Sequence, residues 1–293
     1  MATGIAKTIV ATGATSGLGF ELVKQLLAQT QPYKLILGAR DTKTAQAAFD
    51  NLEYDNAKHS LTIFPLELSN LKTVKAFSQH ALSKIGQDNV DYLLLNAAIS
   101  KSTDEPGHHG SKWSESYIVN HLSQHYLTHL LREKLEASRS RIVIVSSGGV
   151  REITDPDRLE AEVNGASKPP LGVYCATKFA QLLGAHWWRR QLQGTCTVVA
   201  VSPGLIPGTG LMRNGSVEIP ANHPDAKSVA EGAQSIYRAF TRDDFPEDPD
   251  QIFLTSWGEW WPKDVYKLTL NKKLQDQWSP SQDEIEKEEG ISA

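Results

Sequence analysis

The stretch Lys7-Thr8-Ile9-Val10-Ala11-Thr12-Gly13-Ala14-Thr15-Ser16-Gly17-Leu18-Gly19 decides how the rest of the chain is read. Lys7–Ala11 is short and β-branched and predicts a strand. From Gly17 to Gln29, Leu18, Leu22 and Leu26 recur at helical spacing, with Val23 and Leu27 beside them. Between strand and helix lie glycines in a Gly-x3-Gly-x-Gly pattern. Glycine allows a tight turn and lets backbone approach a pyrophosphate, and a helix amino terminus favours negative charge. Gly13, Thr15, Ser16, Gly17, Leu18 and Gly19 are therefore assigned to a dinucleotide. A plain strand-to-helix turn is the competing explanation, and the helix that follows at once speaks against it.

Outward from this loop, strand-like runs alternate with amphipathic segments. Strands are expected at Lys34–Leu37, Leu61–Leu66, Val90–Leu95, Arg141–Val145, Cys196–Val201 and Gln251–Thr255. Helices are expected at Leu71–Ile85, capped by Ser69 or Asn70, and at Lys112–Ala137, Val173–Gln193 and Asp225–Phe240. Such alternation predicts an α/β, doubly wound Rossmann fold, a seven-stranded parallel sheet with helices on both faces. No Pro/Gly-rich linker interrupts it, so residues 1–293 are expected to form a single domain with its core at about 5–260. Two polar loops, 148–171 and 205–224, follow strands at their carboxyl ends, where open α/β sheets bind ligands. The segment 280–293 is polar, acidic over Asp283–Gly290, and predicts a solvated tail.

The net charge is -4, which disfavours nucleic acid, because phosphate binding needs a basic face. Cys175 and Cys196 are the two cysteines, too few for a disulfide framework. Met1–Lys7 lacks the apolar run of a signal peptide, and no stretch reaches the ~18 apolar residues of a membrane span. The expectation is a cytoplasmic domain with a small-molecule partner and no membrane span.

The second expected strand ends Leu37-Gly38-Ala39-Arg40-Asp41. An acid after this strand binds the ribose 2′-hydroxyl of NAD, and an arginine accepts the 2′-phosphate of NADP. The acid position falls at Ala39, with Arg40 beside it. A guanidinium there binds a phosphate bidentately, so NADP(H) is expected. The competing assignment makes Arg40 a surface charge and gives Asp41 the NAD role.

Tyr174-Cys175-Ala176-Thr177-Lys178 puts a phenol and an ammonium on one face of a helix. The ammonium favours the phenolate. A free phenol titrates near pH ~10, so proton transfer near neutrality needs about three units of help. The same spacing occurs at Tyr54-Asp55-Asn56-Ala57-Lys58, in a polar stretch with no serine-bearing strand before it.

In order, Thr12–Gly19, Asn96-Ala97-Ala98, Asn120, Ser146-Ser147, Tyr174-x3-Lys178 and Pro203-Gly204 together resemble the short-chain dehydrogenase/reductase family over roughly residues 5–260. Leu37–Asp41, Val119-Asn120-His121-Leu122 and Pro203–Leu211 are similar to its retinol dehydrogenase and protochlorophyllide reductase-like branch. The resemblance implies an NADP(H)-dependent oxidoreductase that moves hydride between nicotinamide and a carbonyl or alcohol. An apolar ketone or aldehyde is expected, because the loops carry no charge cluster.

The resemblance also implies roles. Tyr174 passes the proton, as acid in reduction and base in oxidation. Lys178 holds the nicotinamide ribose and lowers the tyrosine pKa. Ser147 hydrogen-bonds the carbonyl oxygen, while alternation along the strand turns Ser146 away. Asn120 helps hold a water linking Lys178 to solvent. Glu67 stands where the family usually has Asp and, with Leu68, meets the adenine. Asn96, Ala97 and Ala98 line the cofactor, although the family usually ends this motif in glycine. Pro203, Gly204 and the Ile206 backbone meet the carboxamide. Thr209 binds the carboxamide or phosphates, one place beyond the family's usual threonine, a position that Gly208 holds here.

Other features have plainer explanations. His121, His125 and His129 share zinc-like spacing but lack an acid between the first pair, so no metal is expected. His108-His109 is a candidate substrate contact in a polar loop. Trp187-Trp188 predicts buried packing, and Trp257, Trp260 and Trp261 wall the substrate pocket or close the core. The family often dimerises through the helices at 112–137 and 173–193, whereas the 148–171 segment covering them would leave a monomer. A catalytically silent NADP(H)-binding sensor or scaffold on the same fold is the alternative function.

Overall fold

The computed structural model describes residues 5–101, 111–165, 170–212, 222 and 226–291. The first half runs β1 (Lys7–Thr12), α1 (Gly17–Leu27), β2 (Tyr33–Ala39), α2 (Thr42–Asp50), β3 (Ser60–Pro65), α3 (Leu71–Ile85), β4 (Tyr92–Leu95), α4 (Glu115–Tyr117), α5 (Ser123–Ser138) and β5 (Arg141–Val145). The second half runs α6 (Leu159–Val163), α7 (Pro170–Gln191), β6 (Thr197–Val201), α8 (Val229–Thr241), β7 (Phe253–Leu254), α9 (Lys272–Gln277) and α10 (Gln282–Glu288).

The strands form one parallel sheet in the order β3-β2-β1-β4-β5-β6-β7. Side chains alternate across it. Ile9 and Ala11 of β1 pack with Leu22 and Leu26 of α1, Phe49 of α2 and Ile236 of α8. Val10 faces the other way, into a core with Phe77 of α3, Leu127 and Leu131 of α5, and Phe179 and Leu183 of α7. Both faces are covered, which is why the strands are apolar throughout rather than alternating. This is the expected doubly wound Rossmann fold. The chain builds outward from β1 to β3, then returns to place β4 on the other side of β1. That reversal opens a crevice at the carboxyl ends of β1 and β4.

Two elements differ from expectation. The helix expected at 112–137 is interrupted. Between α4 and α5, Ile118–Leu122 takes a wider π-type turn, a feature that recurs at functional sites. It is held from the side. Asn120 Oδ1 accepts from Ile99 N at 2.8 Å, and Nδ2 donates to Ile99 O at 2.9 Å and to Thr177 Oγ1 at 2.9 Å.

The carboxyl-terminal segment is also different, being docked rather than solvated. A 3-10 stretch at Lys263–Leu270, α9 and α10 lie against the face made by α5 and α7. Trp278, Ile285 and Ile291 are buried in the same core as Leu127 and Phe179. Ser281 and Glu284 form a capping box that starts α10, and Tyr126 Oη donates to Glu286 at 2.6 Å. The acids of this segment mask two well-placed isoleucines, and composition alone misses them. The core thus reaches past the expected limit near 260.

In the loop 148–171, Gly148–Glu152 is a 3-10 turn and α6 follows. Residues 166–169, residues 213–221 and 223–224 of the other loop, and the His108-His109 pair lie outside the described residues.

Candidate active site

The Thr12–Gly19 loop is shaped by close approach. Gly13 has φ +61°, and a Cβ on it would lie 2.6 Å from Ala97 Cα. A Cβ on Gly19 would lie 2.2 Å from Gly13 O. Any side chain at either site would push the loop off β4 or off the start of α1. Asn96 Nδ2 donates to Gly13 O at 2.6 Å, and Asn96 N and Ala97 N donate to Thr12 Oγ1 at 3.2 and 3.3 Å. Thr12 Oγ1 in turn donates to Gln124 Oε1 at 3.0 Å. Ser16 holds the N-cap position of α1 without a side-chain cap bond. The first-turn N–H groups are therefore left for an anion.

At the end of β2, Ala39 is buried and Arg40 is exposed. Asp41 is already committed. Its Oδ1 accepts from Lys43 N and Thr44 N, both at 3.0 Å, and Oδ2 accepts from Thr44 Oγ1 at 2.6 Å. It is the N-cap of α2, and those bonds hold its carboxyl below the usual range. Glu67 is partly engaged in the same manner, with Oε1 accepting from Ser69 N and Oγ at 3.1 Å.

The Tyr174–Lys178 pair lies on α7 beside the end of β5. Tyr174 and Lys178 are both buried, with the ammonium 5.8 Å from the phenol ring centroid. Lys178 Nζ donates to Val145 O at 2.8 Å and to Gln181 Oε1 at 3.1 Å. Burial pushes the Tyr174 phenol up to about 12, and the neighbouring Ser147 hydroxyl works against that rise. Burial likewise pushes Lys178 down to about 7. The lowering of the tyrosine expected from the spacing is thus not the larger effect, because both groups lose solvent on the same helix face. The Ser146 hydroxyl is buried and without a partner among the described residues. Gln181 Nε2 donates to Asn120 O at 2.9 Å, so Gln181 bridges Lys178 and Asn120 directly.

These parts enclose a cleft of about 690 Å³. Gly13, Thr15, Ser16, Gly17, Leu18, Arg40, Glu67, Leu68, Asn96, Ala97, Ala98, Ser147, Tyr174, Lys178, Pro203, Gly204, Ile206 and Thr209 all line it. Gly19 and Asn120 stand behind the wall. Thr209 Oγ1 donates to Ile206 O at 3.3 Å, closing the turn after Gly204. On the opposite side, Leu205, Leu211 and Leu171 share the lining with Glu115, Arg151 and Glu152.

Trp257, Trp260 and Trp261 are not in the lining. Trp257 is exposed, Trp260 packs on Phe245, and Trp261 stacks on Phe253 under the Arg151 guanidinium. The Tyr54–Lys58 spacing falls in turns before β3, not on a helix. Burial pushes the Cys175 thiol up to about 11, unsuited to attack. His121, His125 and His129 form a ladder in which His125 and the half-buried His129 pack on Trp187 and Trp188, and the three bind the carbonyls of Trp278 and Pro280. Burial holds His121 and His129 down to about 4, so they are neutral near pH 7.

Sequence reasoning missed Gln124, Gln181 and the side-chain role of Thr12. Each is a buried polar side chain that ties two parts of the site together. Gln124 Nε2 meets Ala97 O at 2.9 Å, Val119 O at 3.0 Å and Asn120 O at 3.1 Å. A signal was present for Gln181, the one polar residue in the otherwise apolar run from Phe179 to Ala185 and one turn beyond Lys178.

A family model described as short chain dehydrogenase matches residues 7–155. A short-chain dehydrogenase/reductase of Pestalotiopsis microspora is 58% identical over 290 residues, 98% of this chain and 100% of that protein. The chain is a short-chain dehydrogenase/reductase. Retinol dehydrogenase 12 of Homo sapiens is 30% identical over 243 residues, 78% of this chain and 71% of that protein. This short-chain dehydrogenase/reductase is therefore akin to the retinol dehydrogenase branch. The NADPH-bound carbonyl reductase from chicken fatty liver matches its fold with a TM-score of 0.66 at 20% identity, covering 87% of this chain and 98% of that one.

Proposed function

We propose that the chain is an NADP(H)-dependent oxidoreductase that interconverts a carbonyl and an alcohol, with Tyr174 as the proton-transfer residue. The observation that carries this is that Ser147, Tyr174 and Lys178 meet on the wall of a single cleft whose lining also includes the Gly13–Leu18 loop. The residues fit the dinucleotide on three counts. α1 has free first-turn N–H groups, Arg40 lines the cleft beside Ala39, and Asp41 is spent as a helix cap. Thr15–Leu18 hold the pyrophosphate, Arg40 the 2′-phosphate, and Lys178 the nicotinamide ribose; Glu67 and Leu68 border the adenine. When bound, the nicotinamide supplies or accepts the hydride.

The protein's own residues handle the proton. Ser147 donates to the substrate oxygen where negative charge develops. Tyr174 gives that oxygen its proton in reduction. A phenol pushed up to about 12 is protonated near pH 7 and so can serve as the acid in reduction of a ketone or aldehyde. Apolar walls from Val119, Leu171 and Leu205 fit a largely apolar substrate, with Arg151 and Glu152 able to meet a polar end.

The test is NADPH consumption against a broad panel of carbonyl compounds. Tyr174→Phe is expected to lose turnover on the order of 10²-fold or more while still binding NADPH. Near-normal turnover by this variant rejects the mechanism. NADPH binding with no turnover by the unaltered protein across the panel favours a sensor.

A further inference from the structure

Among the described residues Lys178 has no carboxylate partner; it is held by two neutral carbonyls, Val145 O at 2.8 Å and Gln181 Oε1 at 3.1 Å. Gln181 follows one turn later on the same face of α7 and is 4% exposed. Its amide nitrogen donates to Asn120 O at 2.9 Å. An ammonium can only donate and a main-chain carbonyl can only accept. The amide is therefore fixed in one orientation, oxygen toward Lys178 and nitrogen toward Asn120. The reverse would set N–H against N–H and oxygen against oxygen. Asn120 is itself locked, through Ile99 and Thr177, in the π-type turn.

We propose that Gln181 is a positioning residue for proton transfer: its amide braces the Lys178 ammonium against the Asn120 carbonyl and so fixes its place beside Tyr174. The inference rests on the proton-transfer function proposed above. Burial disfavours the ammonium, and the two carbonyl dipoles oppose that loss. The titratable group facing Lys178 is Tyr174. On the elements packed around it, His121 is turned to Trp278 O at 2.8 Å, Cys175 lies against Gly149, and Arg151 and Glu152 line the cleft. With Gln181 gone, Asn120 O also loses a donor and the ammonium keeps one of its two acceptors.

The experiment follows Lys178 directly, by NMR of protein carrying isotope-labelled lysine, its signal assigned by its loss in Lys178→Met. Gln181→Met keeps the shape but neither donates nor accepts. Its Lys178 midpoint is expected to fall by about one pH unit, the effect of losing a hydrogen bond to a charged group. Gln181→Glu places a carboxylate there and is expected to raise the midpoint. Should Gln181→Met fail to melt cooperatively, Gln181→Asn, one methylene short, is the replacement and is expected to lower the midpoint. The alkaline limb of kcat/KM for NADPH-dependent carbonyl reduction is expected to move in the same two directions. Midpoints unchanged from the unaltered protein overturn the inference, with or without a known substrate. Midpoints that move in a protein with no turnover uphold the brace and refute the catalytic function.

Discussion

Arg40 and Asp41 are adjacent residues with opposite commitments. Asp41 spends both carboxylate oxygens on the start of α2, so it has little left for a ribose hydroxyl. Arg40 is exposed at the cleft with its charge available for a phosphate. Both residues were legible in Leu37–Asp41, but that Asp41 caps α2 was not. Arg40→Ala is expected to raise KM for NADPH by about 10- to 100-fold, the worth of a charge-assisted hydrogen bond, and to leave KM for NADH nearly unchanged. An unaltered NADPH preference in steady-state kinetics would sink the assignment. At Tyr174 the sequence foresaw the partner, Lys178, but not the balance of forces. Spacing reveals a neighbour's charge; it does not reveal that phenol and ammonium are both out of water.

At the scale of elements, α10 and the segment before it changed most between sequence and structure. A run of acids predicts solvation, yet a short capped helix needs only Ile285 and the flanking Trp278 and Ile291 to dock. Trp278 packs edge-on against Tyr117 at 5.7 Å, and its carbonyl binds His121. Tyr117 ends α4 and His121 lies in the π-type turn that carries Asn120. The docked segment thus supports the back of the site. Trp278→Ala is expected to cost about 3–5 kcal/mol, as for other large-to-small core changes, and to lower Tm in a thermal melt. A Tm equal to that of the unaltered protein would mean the segment is not part of the cooperative core. The π-type turn itself was not visible in the sequence. Asn120 marks it by being a poor helix former, but the backbone of Ile99 that holds its side chain lies 21 residues away.

At the scale of the molecule, α5 and α7 are covered by their own chain. The segment from Lys263 to Ile291, rather than the 148–171 loop alone, lies over them. Two copies cannot pack these helices together without displacing Trp278 and Ile285. The protein is expected to run as a monomer of 32.3 kDa in light scattering after size exclusion; a stable dimer would require another interface. Among the described residues, no helix is long and apolar enough to cross a membrane.

The sequence by itself determined the strand and helix alternation, the Thr12–Gly19 loop, the Tyr174–Lys178 pair and the Arg40 position. All of these are written in spacings of a few residues, where periodicity and glycine chemistry act locally. Tertiary structure decided the rest. It joined Gln181 to Asn120 across 61 residues and Tyr126 to Glu286 across 160. It also buried Tyr174 with Lys178 deeply enough that desolvation outweighs their mutual charge effect. Such contacts depend on which faces the fold brings together, and burial is a property of the packed whole, so neither has a local signature.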